Sequence, residues 1–207
     1  MAGRQRITRE KVARMDLILD SAEKLFVEKG FTNTSINDIA EAADFSRTSI
    51  YQYFSGKEEI YLRILERYTG LLTRSVIKAT ADVSTAPEKI RVFLGAMRRM
   101  IRERPSFFTL YFIERHQVEP RLSAELRTRL NAERRVLENV FRDFYRRGIE
   151  KGEVRDIGVK DASNLFFAQI TGMMLLHEYY EEEFDVTLDE HLEKSLQLYL
   201  EFVEKVV

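Results

Sequence analysis

Two short amphipathic segments joined by a tight turn constrain the fold of this chain more than any other feature of its sequence. In the first segment, apolar residues recur at the spacing of one buried helix face: Ile36, Ile39, Ala40 and Ala43. Ser35 and Asp38 form a capping-box pattern at the beginning of this segment. Asp44 and Phe45 follow it, and aspartate tolerates the left-handed backbone of a tight turn. The pattern predicts a short helix that ends in a turn.

The second segment has an apolar side and a polar side. Ser46 is its predicted cap, and Ile50 and Phe54, four residues apart, face the core. The other side chains have no core role and point outward: Arg47, Thr48, Ser49, Tyr51, Gln52 and Tyr53. Ser55 and Glu58 then predict the cap of a third helix. A helix-turn-helix of this kind reads DNA in the major groove, although spacing alone also allows a small helical unit that never touches nucleic acid.

One set of positions follows a known family pattern: Ala22, Leu25, Phe26, Gly30, Phe31, Thr34, Ile39, Ala40, Ala43, Ser46, Ile50, Tyr51, Tyr53, Phe54, Lys57 and Glu58. Through these residues the chain resembles, over residues 18–65, the DNA-binding domain of the TetR family of bacterial transcriptional regulators. Residues 148–155 and 160–162 are similar to the stretch before that family's penultimate helix. Asp44 and Thr48 depart from the pattern, which usually has glycine at the first position and often at the second. The operator sequence therefore cannot be carried over.

The sequence predicts an all-α fold, because helix formers with an apolar period near 3.6 dominate and only three prolines interrupt them. Residues 1–56 are expected to form an N-terminal arm and a three-helix helix-turn-helix DNA-binding domain. Residues 57–207 are expected to form a larger helical ligand-binding and dimerisation domain. The first helix is expected to end at Gly30. Further helices are expected at residues 57–81, 85–104, 120–148, 161–181 and 188–206.

The charge of the chain is distributed unevenly. A net charge of -1 argues against a protein that coats DNA non-specifically, since such binding needs many clustered cations. Within residues 1–15, five cations face a single acid, Glu10: Arg4, Arg6, Arg9, Lys11 and Arg14. This arm can lie along phosphates or enter a minor groove, and a solvated tail is the equally supported alternative.

The last two predicted helices carry long apolar stripes. The first stripe contains a glycine that permits close helix approach, and its members are Leu165, Ala168, Gly172, Met173 and Leu176. The second stripe consists of Leu188, Leu192, Leu196, Tyr199, Phe202, Val203 and Val206. Two such hairpins can form a four-helix bundle across a two-fold axis. Many of these residues also suit an intramolecular core, and the family resemblance favours a homodimer.

A second set of residues suits the wall of an effector site: Met97, Phe108, Tyr111, Phe112, Phe166, Gln169 and Met173. Apolar walls give affinity, and a single amide can orient the bound molecule, so a hydrophobic or amphipathic effector is expected. For any one of these residues, a plain core role is the stronger alternative. The composition does not identify the compound.

Several functional classes lack the residues that they need. The chain has no cysteine, which excludes disulfides, thiolate nucleophiles and cysteine-based metal sites. It has no HExxH pattern, glycine-rich phosphate loop or nucleophile elbow, so we expect no cofactor and no enzyme activity. His177 and Glu181 are four residues apart, but the neighbouring glutamates favour a solvated helix end over a metal site. We see no signal peptide or membrane span and expect a cytoplasmic protein.

The resemblance to the TetR family implies a ligand-responsive repressor that binds a pseudo-palindromic operator in double-stranded DNA as a dimer and is released by a small effector. As the resemblance implies, the DNA-binding residues are Thr34, Ser35, Ser46, Arg47, Thr48, Ser49, Tyr51, Gln52, Tyr53 and Lys57. Base readout is expected from Arg47, Thr48, Ser49 and Gln52. Phosphate contact is expected from Ser46, Tyr51, Tyr53 and Lys57. Two alternatives remain: a DNA-bound protein of the same fold that acts through a protein partner, and a ligand-binding or catalytic module without DNA binding.

Overall fold

The computed structural model describes the backbone of residues 2–180, 182 and 185–204, and the side chains from residue 9 onward within these ranges. No strand occurs in these ranges, and one isolated antiparallel bridge joins Val154 and Glu204. The all-α prediction is confirmed. The first five helices are α1 (Ala2–Asn33), α2 (Ile36–Ala42), α3 (Arg47–Tyr51), α4 (Lys57–Ala79) and α5 (Ala86–Glu103). After them come α6 (Pro105–Phe108), a π-helix (Thr109–Glu114), α7 (Arg115–Val118), a 3-10 turn (Glu119–Arg121), α8 (Ala124–Glu150), α9 (Val159–Tyr180) and α10 (Leu188–Val203).

The helix bounds follow the predictions with local differences. α1 has a non-helical residue at Gly30, with φ 78° and ψ 155°, but helical structure resumes and continues to Asn33. The stretch after Pro105, predicted only as an aromatic segment, is a chain of short helices. The predicted ends of the last two helices, at residues 181 and 206, lie outside the described residues.

Two compact units make up the structure. The first contains Met1–Tyr68 and Ser106–Asn131, and the second contains Thr69–Pro105 and Ala132–Val207. The functional boundary after residue 56 stays a prediction. In the first unit, Ile18, Ala22 and Phe26 are buried along α1, as their spacing predicted. The core of this unit is aromatic, because the ring of Phe26 lies 5.3 Å from that of Phe31 and 6.1 Å from that of Tyr61.

The second unit has its own aromatic core. The Phe141 and Phe166 rings stack at 4.4 Å, and Phe93 meets Phe166 edge-on at 5.7 Å. Pairs of this geometry each contribute about 0.5–1.5 kcal/mol beyond the burial of their surface. Gly148 permits α8 to approach α5 closely, since a Cβ at this position would lie 2.5 Å from the Cβ of Ala86.

Candidate nucleic-acid interface

α2 begins with the predicted capping box, which is confirmed. The Ser35 hydroxyl accepts a hydrogen bond from the Asp38 N–H at 3.2 Å, and the Asp38 carboxylate accepts the Ser35 N–H at 2.7 Å. The Ser35 hydroxyl also donates to this carboxylate at 2.6 Å. These bonds hold the pKa of Asp38 below its usual value. The pair fixes the first turn of α2 and leaves Ser35 exposed at the edge of the helix-turn-helix.

The turn after α2 is a Schellman motif with aspartate at its left-handed position. Asp44 has φ 58°, the only positive value at a non-glycine residue in the described chain. Its N–H donates to the Glu41 carbonyl at 3.2 Å, and the Phe45 N–H donates to the Ala40 carbonyl at 2.9 Å. The predicted left-handed turn is confirmed. It ends α2 and allows the chain to begin a second helix in a new direction.

α3 is the predicted recognition helix, and its orientation follows from its cap and its anchors. The Ser46 hydroxyl accepts the Ser49 N–H at 3.1 Å. Ile50 and Phe54 are buried, as predicted. Ser49 and Tyr53 are half-buried. Five side chains of the predicted DNA-binding set are exposed around this helix: Ser46, Arg47, Thr48, Tyr51 and Gln52. The anchors therefore turn a polar face outward.

Thr34 differs from its prediction as a DNA-binding residue. Its side chain is 1% exposed, and its hydroxyl donates to the Gly30 carbonyl at 2.9 Å and approaches the Leu25 carbonyl at 3.3 Å. These bonds stabilise the non-helical backbone at Gly30, where the positive φ favours glycine. Thr34 is thus a buried positioning residue with no side-chain surface for DNA.

Lys57, at the beginning of α4, contacts the end of α1. Its ammonium donates to the Phe31 and Thr34 carbonyls at 2.8 Å each and to the Thr32 carbonyl at 3.4 Å. It also lies 4.5 Å from the centre of the Phe31 ring. Burial lowers the pKa of Lys57. The sequence patterns did not indicate this structural role, because the partners lie more than twenty residues upstream.

An open groove of about 520 Å³ lies beside α3. It is lined by Thr32, Asn33, Thr34, Ser35, Ile36, Asn37, Arg47, Tyr51, Ser55, Gly56, Lys57 and Glu58. Ser55 differs from its prediction in its partner, since its N–H and hydroxyl donate to Glu59 at 2.7 and 2.8 Å rather than to Glu58. We call this surface the amino-side groove, because it borders the beginning of α3.

A second groove, of about 370 Å³, borders the end of α3 and the beginning of α1. Its lining residues are Glu10, Lys11, Arg14, Gln52 and Tyr53. Arg14 forms an ion pair with Glu10 at 3.0 Å, and hydrogen bonding to Glu10, together with the neighbouring Tyr53, raises the pKa of Arg14. We call this surface the carboxy-side groove. The sequence predicted a basic N-terminal arm, but not that Lys11 and Arg14 border the same groove as the end of α3. The side chains of Arg4 and Arg6 lie outside the described part of the chain.

The predicted effector-site residues fall in both units. Phe108, Tyr111 and Phe112 belong to the first unit, where Tyr111 and Phe112 lie 4.9 Å apart. The second unit contains the remaining four: Met97, Phe166, Gln169 and Met173. Phe166 is part of the aromatic core of that unit. The Gln169 amide donates to the Ser195 carbonyl at 2.9 Å, so this amide joins α9 to α10.

α9 and α10 expose apolar surface. Leu165 and Leu176 on α9 are 50% and 44% exposed, and Leu198 and Phe202 on α10 are 56% and 49% exposed. The predicted α10 stripe needs a correction, because four of its members are buried within the chain: Leu192, Leu196, Tyr199 and Val203. The apolar surface left open on α10 consists of Phe202, which belongs to the predicted stripe, and Leu198, which does not.

The histidines do not assemble a metal site in the part of the chain that the structure describes. No group of three or more metal-binding side chains was found among those residues. His177 contacts His191, with 2.6 Å between Nε2 and Nδ1. Glu181, which the sequence offered as a second ligand, lies outside the described residues. Within the same ranges, no helix is long and apolar enough to cross a membrane.

Two family models match the chain. The first, described as bacterial regulatory proteins of the tetR family, matches residues 18–64. The second, described as a tetracyclin repressor-like C-terminal domain, matches residues 83–200. The second range includes Ser106–Asn131, which belongs to the first unit, together with most of the second unit.

The chain is also similar to individual transcriptional regulators. The uncharacterized HTH-type transcriptional regulator Rv1255c of Mycobacterium tuberculosis is 35% identical over 91 residues, and the match covers 44% of this chain and 45% of that protein. The uncharacterized HTH-type transcriptional regulator YfiR of Bacillus subtilis is 29% identical over 206 residues, 96% of each chain. Among solved structures, FadR of Bacillus subtilis in complex with stearoyl-CoA has a TM-score of 0.78 at 20% identity, covering 89% of this chain and 96% of that one. At this identity, the last match shows a shared fold.

Proposed function

This chain belongs to the TetR family of bacterial transcriptional regulators, and from that premise we propose that it is a repressor that binds a pseudo-palindromic operator as a homodimer and is released by a small effector. The observation that carries the proposal is the outer face of α3. Ile50 and Phe54 anchor this helix in the core, while polar side chains around it remain exposed. Such a face contributes little to folding and suits the edges of base pairs.

Base readout is assigned to the exposed side chains of α3. The Arg47 guanidinium can bind the two acceptors of a guanine, and the Gln52 amide can pair with adenine. Thr48 offers a methyl group to thymine and a hydroxyl to a neighbouring acceptor. Ser49 is assigned a smaller part, since its hydroxyl already lies 2.8 Å from that of Ser46.

Phosphate contacts are assigned to the two grooves that border α3. The amino-side groove brings together Ser35, Tyr51 and the ammonium of Lys57. The carboxy-side groove brings the cations Lys11 and Arg14 to the other end of the helix. Contacts on both borders would hold α3 in one register in the major groove, because phosphate bonds position a protein without reading sequence. Ser46 and Tyr53 remain part of the proposed set.

Dimerisation is assigned to the exposed apolar face of α9 and α10. On α9 the face consists of Leu165, Ala168, Gly172, Leu176 and Tyr179, which recur at helical spacing. On α10, Leu198 and Phe202 are also exposed, and we assign them to the same interface. Burying a fully exposed leucine or phenylalanine side chain contributes roughly 1.5–3 kcal/mol, so a two-fold interface here gains stability from every pair.

The effector is assigned to the hydrophobic or amphipathic class. FadR of Bacillus subtilis, which shares this fold, was solved with stearoyl-CoA, and long-chain acyl-CoA is therefore the first compound to test. An effector releases the operator only if it binds the released conformer more tightly than the DNA-bound conformer. The expected effect is a fall in operator affinity that saturates with effector concentration.

Selection of genomic DNA fragments by the purified chain at physiological salt, followed by sequencing, tests the proposal. We expect one palindromic site with half-sites about one helical turn apart. Gln52→Ala should change the preferred sequence, whereas Lys24→Ala, on an exposed part of α1, should leave it unchanged. Transcription in vitro from the recovered site should fall when the protein is added and recover with stearoyl-CoA.

Three other results would change the assigned function. Diffuse, salt-sensitive retention of all fragments would refute sequence-specific regulation. A single site that no small molecule releases would favour the alternative, a DNA-bound protein that acts through a protein partner. A rise in transcription on the recovered promoter would make the protein an activator.

A further inference from the structure

The first unit contains a segment from outside the range that the DNA-binding family model matches. That model covers residues 18–64, whereas Ser106–Asn131 falls within the range of the C-terminal model and still belongs to the same compact unit as the helix-turn-helix. Phe107 and Leu110 of this segment are fully buried. Tyr61 of α4 donates a hydrogen bond to the Leu110 carbonyl. The helix-turn-helix is therefore supported by residues far along the chain.

One hydrogen bond from this segment falls beside the non-helical residue of α1. At Gly30 the backbone leaves the helical conformation, with φ 78° and ψ 155°. The next N–H, that of Phe31, donates to the Glu114 carboxylate at 3.2 Å, across 83 positions of the sequence. Phe31 is fully buried, and Glu114 is half-buried. Removing this acceptor costs more than an ordinary hydrogen bond contributes, because the buried N–H gains no water in exchange.

The carbonyl of the same residue is held by Lys57. The Lys57 ammonium donates to the Phe31 and Thr34 carbonyls at 2.8 Å each. Phe31 therefore has a carboxylate on its N–H and an ammonium on its carbonyl. The chain then leads to Ser35, which caps α2 and lines the amino-side groove. The conformation of residues 30–34 thus sets where α2 begins and where the Lys57 ammonium lies.

We propose that Glu114 is a positioning residue for operator binding. By accepting the Phe31 N–H, it fixes the junction of α1 and α2, and with it the positions of Ser35 and Lys57 against the phosphates. Glu114 makes no contact with DNA in this role. The DNA-binding module is then composite, because it needs a residue from the segment after Pro105. The inference rests on the proposed function, since it concerns the phosphate contacts assigned there.

The charge of Glu114 by itself predicts the opposite effect on DNA affinity. A carboxylate repels phosphates, so its removal alone would strengthen binding to every sequence. Loss of positioning weakens binding instead, because the junction spends less time in the conformation that fits the operator. The sign of the change therefore separates the two roles.

The affinity of full-length variants for the operator recovered by selection tests the proposal. Glu114→Ala removes the acceptor, and Glu114→Gln keeps an acceptor oxygen without the charge. The control Glu119→Ala removes a charge from the same segment, where the Glu119 carboxylate pairs with Arg115 at 3.7 Å. We expect Glu114→Ala to bind about tenfold more weakly than the parent, the factor that corresponds to one lost hydrogen bond. Glu114→Gln should retain most of the affinity, and Glu119→Ala should not weaken it.

Two further readouts separate positioning from general stability. Without DNA, Glu114→Ala should speed hydrogen exchange about tenfold at the N–H groups of Phe31 and Asp38, the second of which donates to the Ser35 hydroxyl. In a double-mutant cycle, Glu114→Ala should cost less affinity in the Lys57→Met background, because both residues act through the same junction. Additive losses would refute that shared junction. Glu114→Met has the same expectations and covers the case in which Glu114→Ala does not fold.

Three other results would overturn the proposal. An affinity of Glu114→Ala equal to or above that of the parent refutes it, and a lower Tm with unchanged affinity gives Glu114 a purely structural role. An equal loss in Glu119→Ala would mean that charge in this segment, and not the bond to Phe31, sets the affinity. A parent chain that selects no operator refutes the proposed function and this proposal together, whereas failure of the variants alone leaves operator binding by the parent intact.

Discussion

Replacing Lys57 with methionine tests how the interface is held together. The substitution keeps an unbranched side chain over Phe31 and removes the ammonium that donates to the Phe31 and Thr34 carbonyls at 2.8 Å. A hydrogen bond from a charged donor contributes about 1.5–3 kcal/mol, and the contact with the aromatic ring adds about 0.5–1 kcal/mol. Partial dehydration of Lys57, which also lowers its pKa, offsets part of this gain. We expect a net loss of about 2 kcal/mol.

Two assays separate the structural role of Lys57 from its role on DNA. Thermal unfolding should show a Tm lower by about 4–8 °C for Lys57→Met, whereas the exposed control Lys24→Met should change it little. Operator affinity measured against salt concentration should lose about one unit of slope, because one phosphate contact is removed.

The predicted fall in Tm and the predicted fall in salt slope can be refuted independently. An unchanged Tm would refute the reasoning that the carbonyl bonds of Lys57 stabilise the junction of α1 and α4. An unchanged salt slope with a lowered Tm would refute the phosphate contact and leave Lys57 a purely structural residue.

Three further substitutions address the turn, the dimer face and the dependence on pH. Asp44→Gly should raise stability by about 0.5–1 kcal/mol in urea unfolding, since glycine adopts φ 58° without a Cβ penalty. Leu176→Glu should convert the dimer to monomers in sedimentation and weaken operator binding, because it places a charge on the proposed interface. Hydrogen bonds from Arg98 keep the pKa of Asp189 below its usual value. The pair therefore stabilises the fold fully at a pH above the unfolded pKa of aspartate, near 4. This stabilisation is lost as the pH falls through the lower pKa of the folded state. Asp189→Asn should therefore lower the Tm at neutral pH but not in strong acid.

Each of these expectations has a contradicting result. A less stable Asp44→Gly variant would mean that the aspartate side chain makes a stabilising contact of its own. A dimeric Leu176→Glu variant would move the interface away from the exposed face of α9. Equal pH profiles for Asp189→Asn and the parent chain would remove any contribution from the pair with Arg98.

Local features of the interface were predictable from the sequence because their causes lie within a few residues. The capping box of Ser35 and Asp38, the cap at Ser46 and the left-handed turn at Asp44 each depend on hydrogen bonds that span no more than five positions. The burial of Ile50 and Phe54 follows from their spacing in the same way. Such features depend little on how the rest of the chain folds.

Features with partners far along the chain could not be predicted. Thr34 matches a pattern of exposed DNA-binding residues, and only the break at Gly30 places its hydroxyl inside. α10 has apolar residues on more than one face, and spacing cannot decide which face its own chain covers, so Leu198 and Phe202 emerged as the exposed pair.

The segment after Pro105 places one of the predicted effector residues on an element that is bonded to the end of α1. Its π-helix contacts the DNA-binding part of the first unit, because Tyr61 donates to the Leu110 carbonyl and Glu114 accepts the Phe31 N–H at 3.2 Å. Phe31 is also the residue whose carbonyl binds Lys57 at the edge of the amino-side groove. Tyr111, one of the predicted effector residues, lies on this same π-helix. An effector that moves Tyr111 would therefore act on an element already bonded to α1, and local π-helical distortions are frequent at functional sites.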